Sequence, residues 1–173
     1  WPRNTMARLV TSLNDAGVQL QLHDIAFPET AQGDDALALA LQASRGAVLA
    51  QLPQLNSEQT LRTGVMSHAV TGVSCSDGLA STSNYIANNA SFAAIPKGHI
   101  TPIVSPDGAI RKMPALICVD GSAYPALPIS AFLQALSTQV WGASVTVGDS
   151  LFGPAQMLQL DSYPGLRIPL DAR

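Results

Sequence analysis

Four carboxylates, Asp24, Glu29, Asp34 and Asp35, crowd one short stretch beside the imidazole of His23. Oxygen donors at that density suit a hard cation such as calcium or magnesium, or a polar ligand, and His23 would add a nitrogen. A plainer reading of the same residues is local. Asp34 or Asp35 caps a helix, and Glu29 is a solvated loop side chain. The reading adopted assigns no metal and no cofactor, and keeps Asp24, Glu29 and Asp35 as contacts to a polar ligand. Arg111 and Lys112 follow the Asp107-Gly108 turn, where they suit an anionic ligand or simply end a strand in solvent. Tyr124 either lines a pocket or covers the hydrophobic layer. Arg111 and Tyr124 complete the set of candidate ligand contacts. No catalytic residue is assigned: Gly-x-Ser-x-Gly, His-Glu-x-x-His and phosphate-loop patterns are absent from the sequence. Asn89-Ala90-Ser91 matches a glycosylation sequon, but it falls in an expected helix and is read as a chance match.

These residues must be positioned by a folded core, and the composition supplies one. Of 173 residues, 47% are hydrophobic and 12% charged, about half the usual charged share, so the chain is globular rather than disordered. Nine scattered Lys and Arg against twelve Asp and Glu, a net charge of −3, argue against nucleic acid as a partner. One domain over 1–173 is expected, and no apolar run is long enough to span a bilayer. The opening at Trp1-Pro2-Arg3 is expected for a module of something longer, and sparse Lys with abundant Ser, Thr, Ala and Gln fits an extracytoplasmic bacterial domain. Cys75 and Cys118 are read as two buried free thiols, the alternative being a bridge closing a loop of about 43 residues.

Along the chain, Met6, Leu9, Val10 and Leu13 recur at helical spacing, stopped by Gly17. Residues 18–27 read as a strand whose Gln19, Gln21, His23 and Ile25 face is too polar for an inner strand, hence an edge or a pocket wall. A second helix is expected over 36–44, behind an Asp cap, and an apolar strand over 47–52. Residues 65–74 give a weak strand interrupted by Gly72. Residues 81–94 read as a helix with Tyr85, Ile86, Ala90 and Ala93 inward. A strand over 99–104 pairs through Ser105-Pro106-Asp107-Gly108 with one starting at Ala109. That strand is apolar on both faces from Met113 to Val119, so its far half is central. A helix follows from Tyr124-Pro125 with Ile129, Phe132, Leu133, Leu136 and Val140 in one stripe, then short strands at 145–147, 156–160 and 166–170. The expected class is α/β, a mixed sheet with flanking helices, three-layer-like and containing an Asp-Gly hairpin.

The ordered set His99-Ile100, Asp107-Gly108-Ala109-Ile110-Arg111-Lys112, Pro114 and Tyr124-Pro125-Ala126-Leu127 resembles the second family of CHASE domains, extracytoplasmic sensors associated with cyclases and histidine kinases. Trp1-Pro2-Arg3 with Ala7-Arg8-Leu9-Val10 and Ala16-Gly17 resembles the family's opening helix. Asp24-Ile25-Ala26-Phe27-Pro28-Glu29 resembles its first strand and acidic loop, Asp34 with Leu37-Ala38 its second helix start, and Arg167-Ile168-Pro169-Leu170-Asp171 its closing strand. The resemblance covers most of the chain. The departures are Gln19, Gln21 and His23, where the family has apolar residues, and residues 54–93.

The resemblance implies a non-catalytic periplasmic module, tethered through flanking transmembrane helices to a cytoplasmic cyclase, cyclic-nucleotide phosphodiesterase or histidine kinase. It further implies a dimer in the full receptor, a small-molecule or protein signal, and no nucleic-acid partner. A small periplasmic metal-dependent enzyme using the acidic cluster and a protein–protein interaction module are the competing readings.

Overall fold

A computed structural model describes residues 1–55, 60–75, 78–137, 141–147 and 156–170. The chain runs α1 (Arg3–Asp15), β1 (Gln21–His23), α2 (Asp34–Ala43), β2 (Ala47–Pro53), β3 (Arg62–Thr63), β4 (Ala80–Thr82) and β5 (Tyr85–Ile86). After a 3₁₀ turn at Ala90–Phe92 come β6 (Lys97–His99), β7 (Ile103–Val104), β8 (Ile110–Lys112), β9 (Leu116–Val119) and β10 (Ser122–Pro125). Then follow α3 (Leu127–Ala135), β11 (Ala143–Val147), β12 (Gln156–Leu160) and β13 (Tyr163–Leu170). This is the expected mixed α/β class.

The first sheet grows from a β1–α2–β2 crossover. β1 and β2 are parallel, with Gln21 opposite Ala47 and His23 opposite Leu49, and β6 adds parallel on the other side of β2. Pro2 sits just before the first turn of α1, where its missing N–H costs nothing, and Gly17 closes the helix at φ +90°. Helices α1 and α2 cover one face of the sheet. Ala7 and Val10 meet Leu37, Ala38 and Leu41 over Ala47, Leu49, Phe92 and Ile95. The α1 stripe is rotated from the expected one: Ala7 is buried, and Leu9 is 44% exposed. Strand β1 is shorter than 18–27, and its polar side is the inward one. Gln21 is buried and its Nε2 donates to the Val10 carbonyl at 3.2 Å, whereas Leu22 is half exposed. The sheet position fits this: β1 is an edge strand, paired on one side with β2.

α3 packs on the opposite face of β2 and β6. Contact is close because Gly98 has no side chain: a Cβ there would stand 2.5 Å from Leu127 Cα and 2.6 Å from Ser130 Oγ. Ser130 Oγ donates to the Lys97 carbonyl at 2.9 Å, locking the same seam. Gly98→Ala is expected to lower stability by about 3 kcal/mol, because backbone on backbone cannot relax as a side chain does. Urea unfolding of the variant checks this, and a loss under about 1 kcal/mol would contradict it.

A second sheet has β9 at its centre, antiparallel to β10 and parallel to β4. All four β9 side chains are buried, as expected for the far half of the 109–119 stretch. That stretch is two strands, however. β8 ends before Pro114, pairs with β7 alone among the described residues, and is exposed along its length. Asp120-Gly121, at φ +49° and +81°, makes the tight turn between β9 and β10. Tyr124 and Pro125 therefore end a strand, and the helix starts only at Leu127.

The third sheet is the antiparallel meander β11–β12–β13. Its apolar side joins β9, α3 and Trp141 in a second core containing Leu116, Leu133, Leu158 and Leu160. Val140 lies outside the described residues.

Two expectations are overturned. Residues 81–94 are not helical but carry β4, β5 and the 3₁₀ turn. β5 pairs antiparallel with Leu52-Pro53 and parallel with β3, so distant backbone partners outweigh local helix preference. The two cysteines are not free thiols: Cys75 and Cys118 form a disulfide, with Cα atoms 5.8 Å apart, tying the segment before it to the middle of β9. The weak strand at 65–74 reduces to single bridges, Val70 with Ala123 and Thr71 with Gly142.

Candidate functional site

The acidic stretch separates once folded. Asp24, Glu29 and Asp35 are exposed, while Asp34 is 4% exposed at the start of α2. Asp34 is not an N-cap, since that place belongs to Gly33. Its carboxylate instead accepts from Arg3 Nε at 2.8 Å, from the Ala31 N–H at 2.8 Å and from Asn89 Nδ2 at 3.0 Å. Burial pushes its pKa up, but these donors outweigh burial and hold it below the usual carboxylate value. The Arg3 guanidinium also lies 4.2 Å over the Phe27 ring. Asn89 donates to the Glu29 carbonyl at 3.1 Å, and Asn88 bridges the Phe27 N–H and the Ala50 carbonyl. This network is a latch holding the first turn of α1, the start of α2 and the 27–29 loop against β2. It also occupies the Asn89 amide, so the sequon side chain is buried and committed rather than offered to a glycan. Among the described residues, no group of three or more His, Cys, Asp and Glu is placed to hold a metal ion.

A second polar cluster lies inside the protein, on the β2–β6 face towards Phe92 and Ile95. Lys97 is 1% exposed, and its ammonium donates to the Phe92 and Ile95 carbonyls. Burial pulls its pKa down to about 7. His99 is fully buried, neither ring nitrogen has a partner, and burial lowers its pKa to about 4. Next to it in the sheet, Gln51 holds Ser67 through both the Ser67 N–H and carbonyl. His68, at φ +62° and 5.6 Å from the Trp141 ring, is also lowered to about 4, by burial first and then by the Lys97 charge. The sequence reading passed over Lys97. Lys97 opens a three-residue strand, Lys97-Gly98-His99, whose composition gives no sign of its burial.

The third feature is an open groove of about 420 Å³ where β4, β8, β9 and β13 meet. β8 contributes Arg111 and Lys112, followed by Met113. Leu79 precedes β4, and Ile168 and Leu170 come from the end of β13. Leu79, Ile168 and Leu170 also pack on the second core, so the groove opens onto the protein's apolar interior. Met113 is 48% exposed there. Arg111 is fully solvated. Its guanidinium makes two bonds of 2.8 Å to the Asp107 carboxylate, which raise the Arg111 pKa and lower that of Asp107.

Of the five candidate ligand contacts, Arg111 alone lines this groove. Tyr124 is 9% exposed and packs with Ile117 and Val119 in a separate cluster, where burial raises its phenol pKa. The groove's apolar lining escaped the sequence reading because its residues come from strands brought together only in the fold. The Pro114 break, which exposes Met113, was the one local sign.

No helix of the described residues is long and apolar enough to cross a membrane. A search of curated proteins and a search of solved structures returned no match. The family model of the CHASE2 domain matches residues 1–172, nearly the whole chain. The chain belongs to the CHASE2 family, the extracytoplasmic sensory domains of signalling receptors.

Proposed function

We propose that this domain detects a signal on the outer side of the inner membrane of a bacterial receptor. It would regulate a cytoplasmic cyclase, cyclic-nucleotide phosphodiesterase or histidine kinase, and perform no turnover itself. The observation that carries the reading, beyond family membership, is the position of the groove. Its wall includes Ile168 and Leu170, at the end of the last described strand. A ligand seated there presses on the element that leads towards the receptor's next segment, while the Arg3–Asp34–Asn89 latch fixes the opposite entry, α1. Differential affinity for two placements of that strand is all a sensor requires. The receptor works as a dimer, because cyclase and kinase outputs pair two subunits.

The test uses the intact receptor in membrane vesicles. Asp34→Asn loosens the latch and is expected to shift basal output by at least about threefold, the size of a modest coupling energy. Protease added to spheroplasts, whose outer membrane is breached and inner membrane intact, should cut this domain. Protection of the domain, or an output unmoved by Asp34→Asn, would overturn the reading.

A further inference from the structure

Residues 65–71 form a strap beside the end of β2. Its ends are fixed. The Val65 N–H donates to the Asn88 carbonyl at 2.8 Å, and the Val70 and Thr71 N–H groups donate to the Ala123 and Trp141 carbonyls at 2.8 and 2.9 Å. The middle is held more lightly. Gln51 Nε2 donates to the Ser67 carbonyl at 3.3 Å, and Gln51 Oε1 accepts from the Ser67 N–H at 3.4 Å, both long for such bonds. Met66 and Ala69 add apolar contact with Ile117, Val119 and Tyr124. Gly64 and Gly72 flank the strap at φ +78° and +84°, and His68 within it sits at φ +62°, a left-handed conformation that is costly for a residue with a side chain. Of residues 65–71 only Val70 is buried. A segment held in this way opens before the core does.

Beside the strap lies a side chain that is costly to charge. Gln51 and His99 stand opposite each other in parallel register, so they share one face of the sheet. Both are fully buried, and neither ring nitrogen of His99 has a partner. An imidazolium there presents two N–H donors to no acceptor. Lys97 lies on the same face, and His68 feels its charge. The surrounding elements offer no compensation. β2 and α3 carry no titratable side chain. His23 of β1 is level with Lys97 across Leu49. On α2, Asp34 is committed to Arg3 and Asn89, and Asp35 is exposed, as are Arg8 and Asp15 on α1. Tyr85 and Tyr124 belong to the cluster around Met66 and Ala69. None of the three ion pairs among the described residues includes Lys97, His68 or His99.

We propose that acid on the outer side of the membrane opens this strap: a proton taken up by His99 lifts residues 66–69 off Gln51 and lets water reach the imidazole. The sign follows from burial. With the strap closed, His99 is lowered from 6.5 to about 4. Opening returns it towards its ordinary value, so the open form binds the proton more tightly. The closed form keeps its full advantage above about pH 6.5 and loses it as pH falls. His68, also lowered to about 4, adds to the same step. The strap runs on to Cys75, bonded to Cys118 in β9, and the Ala143 N–H of β11 donates to the Thr71 carbonyl at 2.9 Å. Opening therefore pulls on the second core and on the meander that ends in β13. The inference deepens the sensor reading by naming the signal, and rests on that reading for the consequence of opening, not for opening itself.

The experiment follows amide hydrogen exchange in the purified protein at pH 7 and pH 5, corrected for the intrinsic pH dependence of exchange. Protection of residues 65–71 should fall at least about tenfold at pH 5. It should stay insensitive to about 1 M urea, the mark of opening short of unfolding, with β2 and β9 the more protected at both pH values. His99→Gln should lose most of the acid step. Equal strap protection at both pH values, strap protection as strong as that of β9, or a step that survives His99→Gln overturns the proposal. The ring-proton shifts of His99 in the wild type give a check that needs no variant. Titration at the ordinary histidine value would leave nothing to drive the opening, and would sink it equally. In the intact receptor, stepping the outer pH from 7 to 5 with the inner side buffered should move the output at least about threefold. An opened strap with an unmoved output sinks acid as the signal, whereas the sensor reading itself stands or falls on Asp34→Asn and the protease.

Discussion

Raising the pH from about 7 to about 9.5 stabilises this domain by about 3 kcal/mol, and Lys97 is the source. Its pKa is about 7 in the folded protein against 10.5 ordinarily. Between those values the unfolded chain holds a proton that the folded chain has shed. Stability therefore climbs with pH through that window and levels above it. His99 governs the acid side by the same logic. Its pKa is about 4 against 6.5, so falling pH charges the unfolded imidazole first and costs about 2 kcal/mol by pH 4.5. His68 adds to the acid loss, but it is only partly buried and its share is smaller. The measurement is the urea midpoint as a function of pH for the wild type, Lys97→Met and His99→Gln. Lys97→Met is expected to lose the alkaline rise and keep the acid fall; His99→Gln should keep the rise and lose most of the fall, His68 leaving a smaller remainder. A wild-type profile flat from pH 7 to 9.5, or a rise that survives Lys97→Met, would show that the buried amine is not the titrating group.

Reducing the Cys75–Cys118 disulfide costs about 4 kcal/mol, because the bridge closes a loop of 43 residues whose freedom in the unfolded chain it removes. Cys118 is 2% exposed, in the middle of β9, and Cys75 packs against the same core. The bridge therefore anchors the segment reaching Val70, whose N–H donates to the Ala123 carbonyl at 2.8 Å. A disulfide at this place suits a domain on the oxidising, outer side of a membrane, which is where CHASE2 domains reside. Urea unfolding with and without a phosphine reductant should show the loss, and the Cys75→Ala, Cys118→Ala double variant should match the reduced protein. A loss below about 1 kcal/mol in both would mean that native contacts alone hold the segment.

Much of the framework was legible along the chain. Gly17 stops α1, β2 falls where a run of apolar residues announces it, and β12 falls on the short strand expected at 156–160. Asp107-Gly108 marks its turn because the positive φ of Gly108 is inexpensive for glycine. β9 is buried on both sides, as its uninterrupted apolar run required. The misread stretch, 81–94, fails for a specific reason. Tyr85, Ile86, Ala90 and Ala93 carry helical spacing, yet Tyr85 and Ile86 pair with Pro53 and Leu52, and Asn88 and Asn89 spend their amides on backbone far back in the sequence. Local pattern holds no information about such partners.

The sites divide the same way. Sequence alone determined that this is an α/β protein with an apolar core and a net charge of −3, and its ordered short motifs pointed to the CHASE2 family. Only the tertiary structure decided which of its charges do anything. It took Asp34 out of an acidic cluster and committed it to Arg3 and Asn89, buried Lys97 and His99, and joined two cysteines. It also gathered Leu79, Met113, Ile168 and Leu170 around Arg111. The reason is that periodicity and turn chemistry act between near neighbours, whereas desolvation and charge pairing depend on what the folded chain brings alongside.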